Sequence, residues 1–334
     1  MLTLQKYSSI LTLYKFDHTG IADSHIIDLS RYRFANSSRN KLYTVVSDSV
    51  NNTDRLMLSK VRTNIPNTFD EVLNGGKLYI ENGKMILTLD NSTRSTILIT
   101  VRLDDFTCKL SSFQQLNTSC DDKFTRSNSF LYRGYLYQVK FCNEEIHFQV
   151  YDTCKKEVIK RHLVNPENFD IFRNTIISRV GTGKESITAD KITFKRLAKD
   201  LDSAKVAIRK ITKGQPGISV FGPDDQPVVT IGGQNSFYMT LGGSPMGGYG
   251  TTAAPGYYGS GLKLQSEWAN YFRTLLNKNF DHQEGEIITT AYDDLVAYAK
   301  SNNKKELAEL LFVWRNQYVL GYYDNELKQY SLVS

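Results

Sequence analysis

The chain of 334 residues has no uninterrupted run of about 18 apolar residues, so no membrane-spanning helix is expected. It has no long block of like charge, and a net charge of +6 is mild for this length, so nucleic acid is not implied. Histidine is scarce: His18, His25, His147, His162 and His282 are scattered, and none has a partner at metal-ligand spacing. His147 alternates with Ile146 and Phe148 and so reads as a surface residue on the opposite face of its strand. There is no H-E-x-x-H pair and no G-x-S-x-G turn, which removes two familiar hydrolase designs. The four cysteines, Cys108, Cys120, Cys142 and Cys154, include no C-x-x-C pair. That spacing is poor for zinc and favours separate free thiols, the alternative being one or two disulfides between neighbouring hairpins. The opening residues, MLTLQKYSSILTLYKF, lack an apolar run of signal-peptide length followed by a cleavage site. A complete chain of this kind is expected in the cytoplasm, and a mature or truncated one in the periplasm or at the cell surface.

What is present is aromatic and strand-like. The 20 Tyr and 17 Phe suit a half-buried pleated surface. A recurring pattern joins two alternating apolar strands through a turn opening on Asp or Asn. It appears at Asp17, Asp104, Asp152 and Asp324, and again near Asn277. KLYIENGKMILTL adds a turn at Asn82-Gly83, and FLYRGYLYQVKF one at Arg133-Gly134. Residues 77–116 and 129–164 therefore read as four-stranded meanders, with Asp104 and Asp152 spaced 48 residues apart. KLYTVVSDSVNNTDRLMLSKV reads as a further hairpin with a wide polar tip. The expectation is a mainly β fold: one irregular β-propeller of four-stranded antiparallel meanders over residues 1–334, with an inserted amphipathic helix and a second short helix. Residues 1–165 are the meander repeats, 166–217 the connection and central helix, and 218–334 further hairpins. A strand from the N-terminus is expected to complete the last blade.

The central helix is read from Thr188 to Gly214. Phe194, Leu197, Leu201, Ala204, Ile208 and Ile211 share one face, Thr188 caps the start, and Gly214 ends the helix in a left-handed conformation. Just before it, Val180-Gly181-Thr182-Gly183-Lys184 has the flavour of a phosphate loop. Ser178 stands where that motif needs its first glycine, and Glu185 where it needs Ser or Thr, so nucleotide binding is rejected. SEWANYFRTLL fits either a helix or a strand, and the hairpin pattern favours the strand. A glycine-rich loop spans 242–261, and Thr290 caps a short helix over 290–300. Adjacent carboxylates such as Asp104-Asp105 and Asp224-Asp225 read as turn residues. The candidate interaction residues are Lys195, Lys199 and Arg209 on the basic face of the central helix, with Tyr249, Tyr257 and Tyr258 of the loop. No catalytic, cofactor-binding or metal-binding residue stands out.

The order ISV…VTIGG, a Gly/Met-rich loop, LLNKNFDHQEGEI, a short helix and YVLGYYDNELKQYSLV resembles a group of uncharacterised Bacteroidota β-propeller-like envelope or exported proteins. The resemblance covers roughly the last 130 residues. It implies no activity and brings no assigned binding residues. The repeated meander and the lack of a recognisable catalytic set give the expectation of a non-enzymatic binding or scaffolding protein of the bacterial cell envelope, with an unknown protein or glycan as partner. The competing expectation is a propeller-type glycan-active hydrolase or lyase, its carboxylates gathered at the central depression.

Overall fold

The computed structural model describes residues 2–16, 18–20, 22–34, 41–46, 58–67, 69–90, 94–116, 126–181, 203–240, 263–287, 294–295, 310–315, 317–324 and 328–333. The first sheet holds β1 (Leu2–Leu4), β2 (Ile10–Phe16) and β3 (Ala22–Asp28) as an antiparallel meander. A short helix, α1 (Leu42–Val46), follows. The expected hairpin fails here for a local reason. Ser9 Oγ accepts the Leu42 N–H at 2.9 Å and the Ser8 carbonyl accepts that of Tyr43 at 3.0 Å, so the first turn is capped by a distant loop. Burial of Leu42, Tyr43 and Val46 then outweighs the strand preference of Thr44, Val45 and Val46.

The second sheet has five strands: β4 (Ser59–Lys60), β5 (Gly76–Glu81), β6 (Lys84–Leu89), β7 (Ser95–Arg102) and β8 (Cys108–Gln114). All neighbours are antiparallel except β4 and β5, which pair in parallel. The third sheet is the meander β9 (Arg126–Tyr132), β10 (Tyr135–Cys142), β11 (Glu145–Asp152) and β12 (Glu157–Val164). The turns at Asn82-Gly83 and Arg133-Gly134 put both residues at positive φ, the geometry that matches the twist of a two-residue hairpin. At Asp152 the carboxylate accepts the backbone N–H of Cys154 and Lys155, the local bonding that makes Asp a turn opener.

A one-turn helix, α2 (Phe169–Phe172), leads to the fourth sheet. Its strands are β13 (Ser178–Gly181), β14 (Gln215–Phe221), β15 (Val228–Thr240) and β16 (Lys263–Leu275), ordered β13-β16-β15-β14. SEWANYFRTLL is thus strand, and Val180 and Gly181 pair in a ladder with Ala269 and Trp268. Between β13 and β14 the described helix is α3 (Ala204–Thr212). Ser203 before it is extended, at φ −91° and ψ 125°, and its hydroxyl accepts the Val206 N–H. The expected helix from 189 to 213 therefore does not run unbroken through Ser203, because serine competes for backbone donors and favours a cap. Phe194, Leu197 and Leu201 lie outside the described residues, whereas Ile208 and Ile211 are fully buried. Gly214 is not left-handed. A Cβ there would stand 2.7 Å from the Gln234 carbonyl, and one on Gly233 only 1.9 Å from that of Ile211. Gly233 lets the end of α3 lie directly on β15, whereas Gly232 makes room for Phe69 and the neighbouring strand β16, where a Cβ would meet the Asn270 carbonyl and Tyr271.

The fifth sheet, β17 (Leu310–Trp314), β18 (Gln317–Asp324) and β19 (Gln329–Val333), closes the described chain. The 290–300 helix and the 242–261 loop lie outside the described residues, apart from Asp294 and Leu295, which are helical.

The propeller expectation is wrong. Among the described residues five separate sheets form, of three, five, four, four and three strands, and they close no ring. β1 pairs with β2 in the first sheet and β19 with β18 in the fifth, so the N-terminal strand does not complete the last sheet. The cores tell the same story. One unites the second, third and fourth sheets with α2 and α3. Another joins the first sheet to the far face of the second, through Leu11, Leu13, Ile27, Leu87, Ile99 and Val101. The fifth sheet has its own small cluster of Leu295, Leu320 and Tyr322. A repeated hairpin fixes local turns but leaves open what each face meets, and these faces differ chemically from sheet to sheet.

Candidate functional site

The hairpin between β10 and β11 turns on Asn143 and Glu144, with Asn143 at φ 55°. So tight a turn sets Cys142 directly across from Glu145, and side-chain alternation puts His147 on the same face two residues on. His147 Nε2 and Glu145 Oε2 are 3.0 Å apart. The ligand atoms of Cys142, Glu145 and His147 all lie within 4.8 Å of one another. Cys142 is buried, His147 has 16 % of its side chain exposed and Glu145 42 %, so the cluster opens to solvent on the carboxylate side. Burial holds the His147 imidazole below its ordinary value and outweighs the opposing hydrogen bond and charge of Glu145, while Lys140 across the ladder pushes the same way as burial. Lys140 itself donates to the Leu116 carbonyl at 3.0 Å.

Cys142 is disulfide-bonded, whereas Cys108 and Cys154 are free. Cys120 lies outside the described residues. The expectation of separate free thiols thus holds for two cysteines and fails for Cys142. The bond also decides the chemistry of the cluster, because a metal needs the thiolate and a disulfide sulfur has none to give.

Beside this hairpin end lies an open depression of about 750 Å³, lined by Asn143, Glu144, Glu145, Asn165, Pro166, Glu167 and Lys205. Three elements build it. The β10–β11 turn supplies Glu144. The β12–α2 connection supplies Glu167, held by Asn165, whose side-chain oxygen accepts the backbone N–H of Glu167 and Asn168. The first turn of α3 supplies Lys205. Arg209, one helical turn further, pairs with Glu144 at 3.5 Å. Of the six sequence-proposed interaction residues, Arg209 alone falls in the described structure, and it stands at this rim. Lys195, Lys199, Tyr249, Tyr257 and Tyr258 lie outside it.

A second polar cluster is buried between the second and third sheets. Lys77, fully buried, donates to the Asn74 carbonyl at 2.8 Å and to Asn128 Oδ1. Asp90 is also buried and accepts from Thr96 at 2.5 Å and Ser129 at 2.8 Å. The Thr96 hydroxyl in turn accepts from Gln115 and Gln138, and Gln149 continues the chain to Gln138 and the Gln114 carbonyl. Burial pushes the Lys77 amine down to about 8 and the Asp90 carboxyl up, each opposed by the charge of the other. This seam is buried and holds two sheets together. The adjacent carboxylates Asp104-Asp105 and Asp224-Asp225 are exposed turn residues; Arg102 draws the Asp104 carboxyl down to about 2.

Sequence reading missed the Cys142–Glu145–His147 cluster because it looked for metal spacing along the chain. The usable signal was C-x-x-E-x-H across a two-residue turn, which brings the first and fourth residues side by side. No protein-family model matches the chain, and none of the curated proteins compared with it is similar enough to be a relative. No helix among the described residues is long and apolar enough to cross a membrane.

Proposed function

We propose that the protein is a non-enzymatic binding or scaffolding protein of the bacterial cell envelope that takes a protein or glycan partner on the open depression at the Asn143–Glu144 end of the third sheet. The observation that carries this reading is the lining itself: Glu144, Glu145 and Glu167 face one open space, flanked by two asparagines and Lys205. An open, polar, carboxylate-rich surface suits an extended partner bearing cations better than an enclosed small molecule. The Cys142 disulfide supports a place outside the reducing cytoplasm.

The test titrates the full chain with a lysine-rich peptide and, separately, with an amino-sugar oligosaccharide, and repeats both with Glu144→Gln/Glu167→Gln. One probe should bind, its affinity should fall at least about tenfold in the double variant, about 1.4 kcal/mol, and it should weaken with salt. Equal binding by both proteins, or by neither, removes the depression from the proposal. A chemically altered ligand, detected by mass spectrometry, would make the protein an enzyme.

A further inference from the structure

The cluster beside the depression combines two properties that exclude each other at any one moment. It gathers a sulfur, an imidazole nitrogen and a carboxylate oxygen within 4.8 Å of one another, and its sulfur is locked in a disulfide. We infer that Cys142, Glu145 and His147 form a divalent zinc site that exists only when the Cys142 disulfide is reduced, so that thiol reductants switch metal binding on. The inference rests on the hairpin geometry and stands whether or not the depression takes a partner.

The donor set is a thiolate, a carboxylate and an imidazole, each a common zinc ligand. Zinc–sulfur and zinc–nitrogen bonds of about 2.3 and 2.0 Å in a tetrahedron put those ligand atoms about 3.5 Å apart. His147 and Glu145 are already closer than that, at 3.0 Å, and the widest separation of 4.8 Å closes by side-chain rotation on a rigid two-stranded frame. The solvent-exposed side of Glu145 leaves room for water as a fourth ligand. His147 and Glu145 alone, with the Lys140 ammonium across the ladder, make a poor cation site; the thiolate supplies the missing charge.

The steps balance as follows. Two equivalents of a monothiol reduce the protein disulfide, giving two protein thiols and one small-molecule disulfide; the protein gains two electrons and two protons. The Cys142 thiol then loses its proton to solvent as the sulfur–zinc bond forms. Reoxidation by the small-molecule disulfide reverses the exchange: it takes up the two electrons and leaves as two monothiols, the protein disulfide re-forms, and the zinc ion is released.

The experiment uses the full chain carrying Cys108→Ser and Cys154→Ser, which removes the two free thiols as competing ligands. Zinc is titrated against a chromophoric chelator, with the protein either oxidised, or reduced and freed of reductant under nitrogen. Reduced protein should bind one zinc and oxidised protein none at the same free concentration. His147→Ala and Glu145→Gln, both part-exposed and checked for fold by circular dichroism, should each weaken binding by more than about tenfold, the effect that even supporting groups have on metal affinity. Zinc binding unchanged by reduction overturns the gate. Binding by reduced protein that is unchanged in both variants overturns the site.

Discussion

The third sheet buries two faces of opposite chemistry. Towards the second sheet it presents Ser127, Ser129, Gln138, Lys140 and Gln149; Ser129 bonds Asp90, Gln138 bonds Thr96, Gln149 bonds Gln138 and the Gln114 carbonyl, and Lys140 bonds the Leu116 carbonyl. Towards the fourth sheet it presents Phe130, Tyr137, Phe141, Phe148 and Val150, which join Ile218, Ile231 and Phe272 in one aromatic and aliphatic core. In that core Phe169 packs edge-on against Phe272 at 5.0 Å, and Phe172 is wedged between Phe148 and His282. The apolar side is held by area and volume, which are forgiving of detail. The polar side is held by matched partners, and the match is partial: among the described residues Thr88 Oγ1, Ser127 Oγ and Gln149 Oε1 are buried without a partner, each at a cost larger than the bond would have contributed.

This contrast can be broken by substitution, and the largest effect should come from the seam. Asp90→Leu alone should destabilise by about 3–5 kcal/mol, because Thr96 and Ser129 lose their buried acceptor and the charge that opposes the desolvation of Lys77 is removed. Adding Lys77→Met should recover most of that loss in a double-mutant cycle measured by denaturant unfolding. Simple addition of the two losses would mean that the groups do not act as a pair. On the apolar side, Ile231→Ala should cost about 2–5 kcal/mol whatever its neighbours, the usual sum of transfer and cavity terms. Thr96→Val should come next, at about 1–3 kcal/mol, since two glutamine amides and Asp90 lose their common partner while volume is kept.

Acid should act on the apolar side before the seam. Burial holds His162 and His282 below the ordinary histidine value, and they sit by Phe172 with His162 bonded to the Phe280 carbonyl at 2.8 Å. The unfolded chain then takes up protons first as pH falls. Stability from these groups is complete above the unfolded value of about 6.5 and is lost as pH drops below it, towards their folded values. Unfolding midpoints at pH 7.5 and 5 should differ, and His162→Gln/His282→Gln should shrink the difference; an unchanged difference would assign the acid sensitivity to other groups. The smallest effect belongs to the exposed rim, where Lys205→Ala should move stability by no more than about 0.5 kcal/mol.

Much of the fold was legible locally. Alternation in KLYIENGKMILTL and FLYRGYLYQVKF, with Asn82-Gly83 and Arg133-Gly134 between the arms, named four strands and two turns where they stand. The same alternation misled on the faces. His147 in β11 reads as a surface residue because it alternates with Ile146 and Phe148, yet only 16 % of its side chain is exposed, and Gln149 on the same face is buried. Alternation reports that two faces differ, and cannot say that a second sheet covers the polar one. The candidate site was hidden for a related reason: its three ligand atoms meet through a hairpin register, and Cys142 was judged by its distance from other cysteines along the chain.

From the sequence alone come the strands, their turns and the β class, because period-two patterning and turn chemistry act within a few residues. The capped helix at Leu42, the helix start at Ser203, the failure of the described sheets to close a ring, and the meeting of Glu144, Glu167 and Lys205 were settled only in three dimensions. Each depends on which surfaces come into contact, and that choice is made by matching buried donors, charges and volumes contributed by residues far apart in the chain.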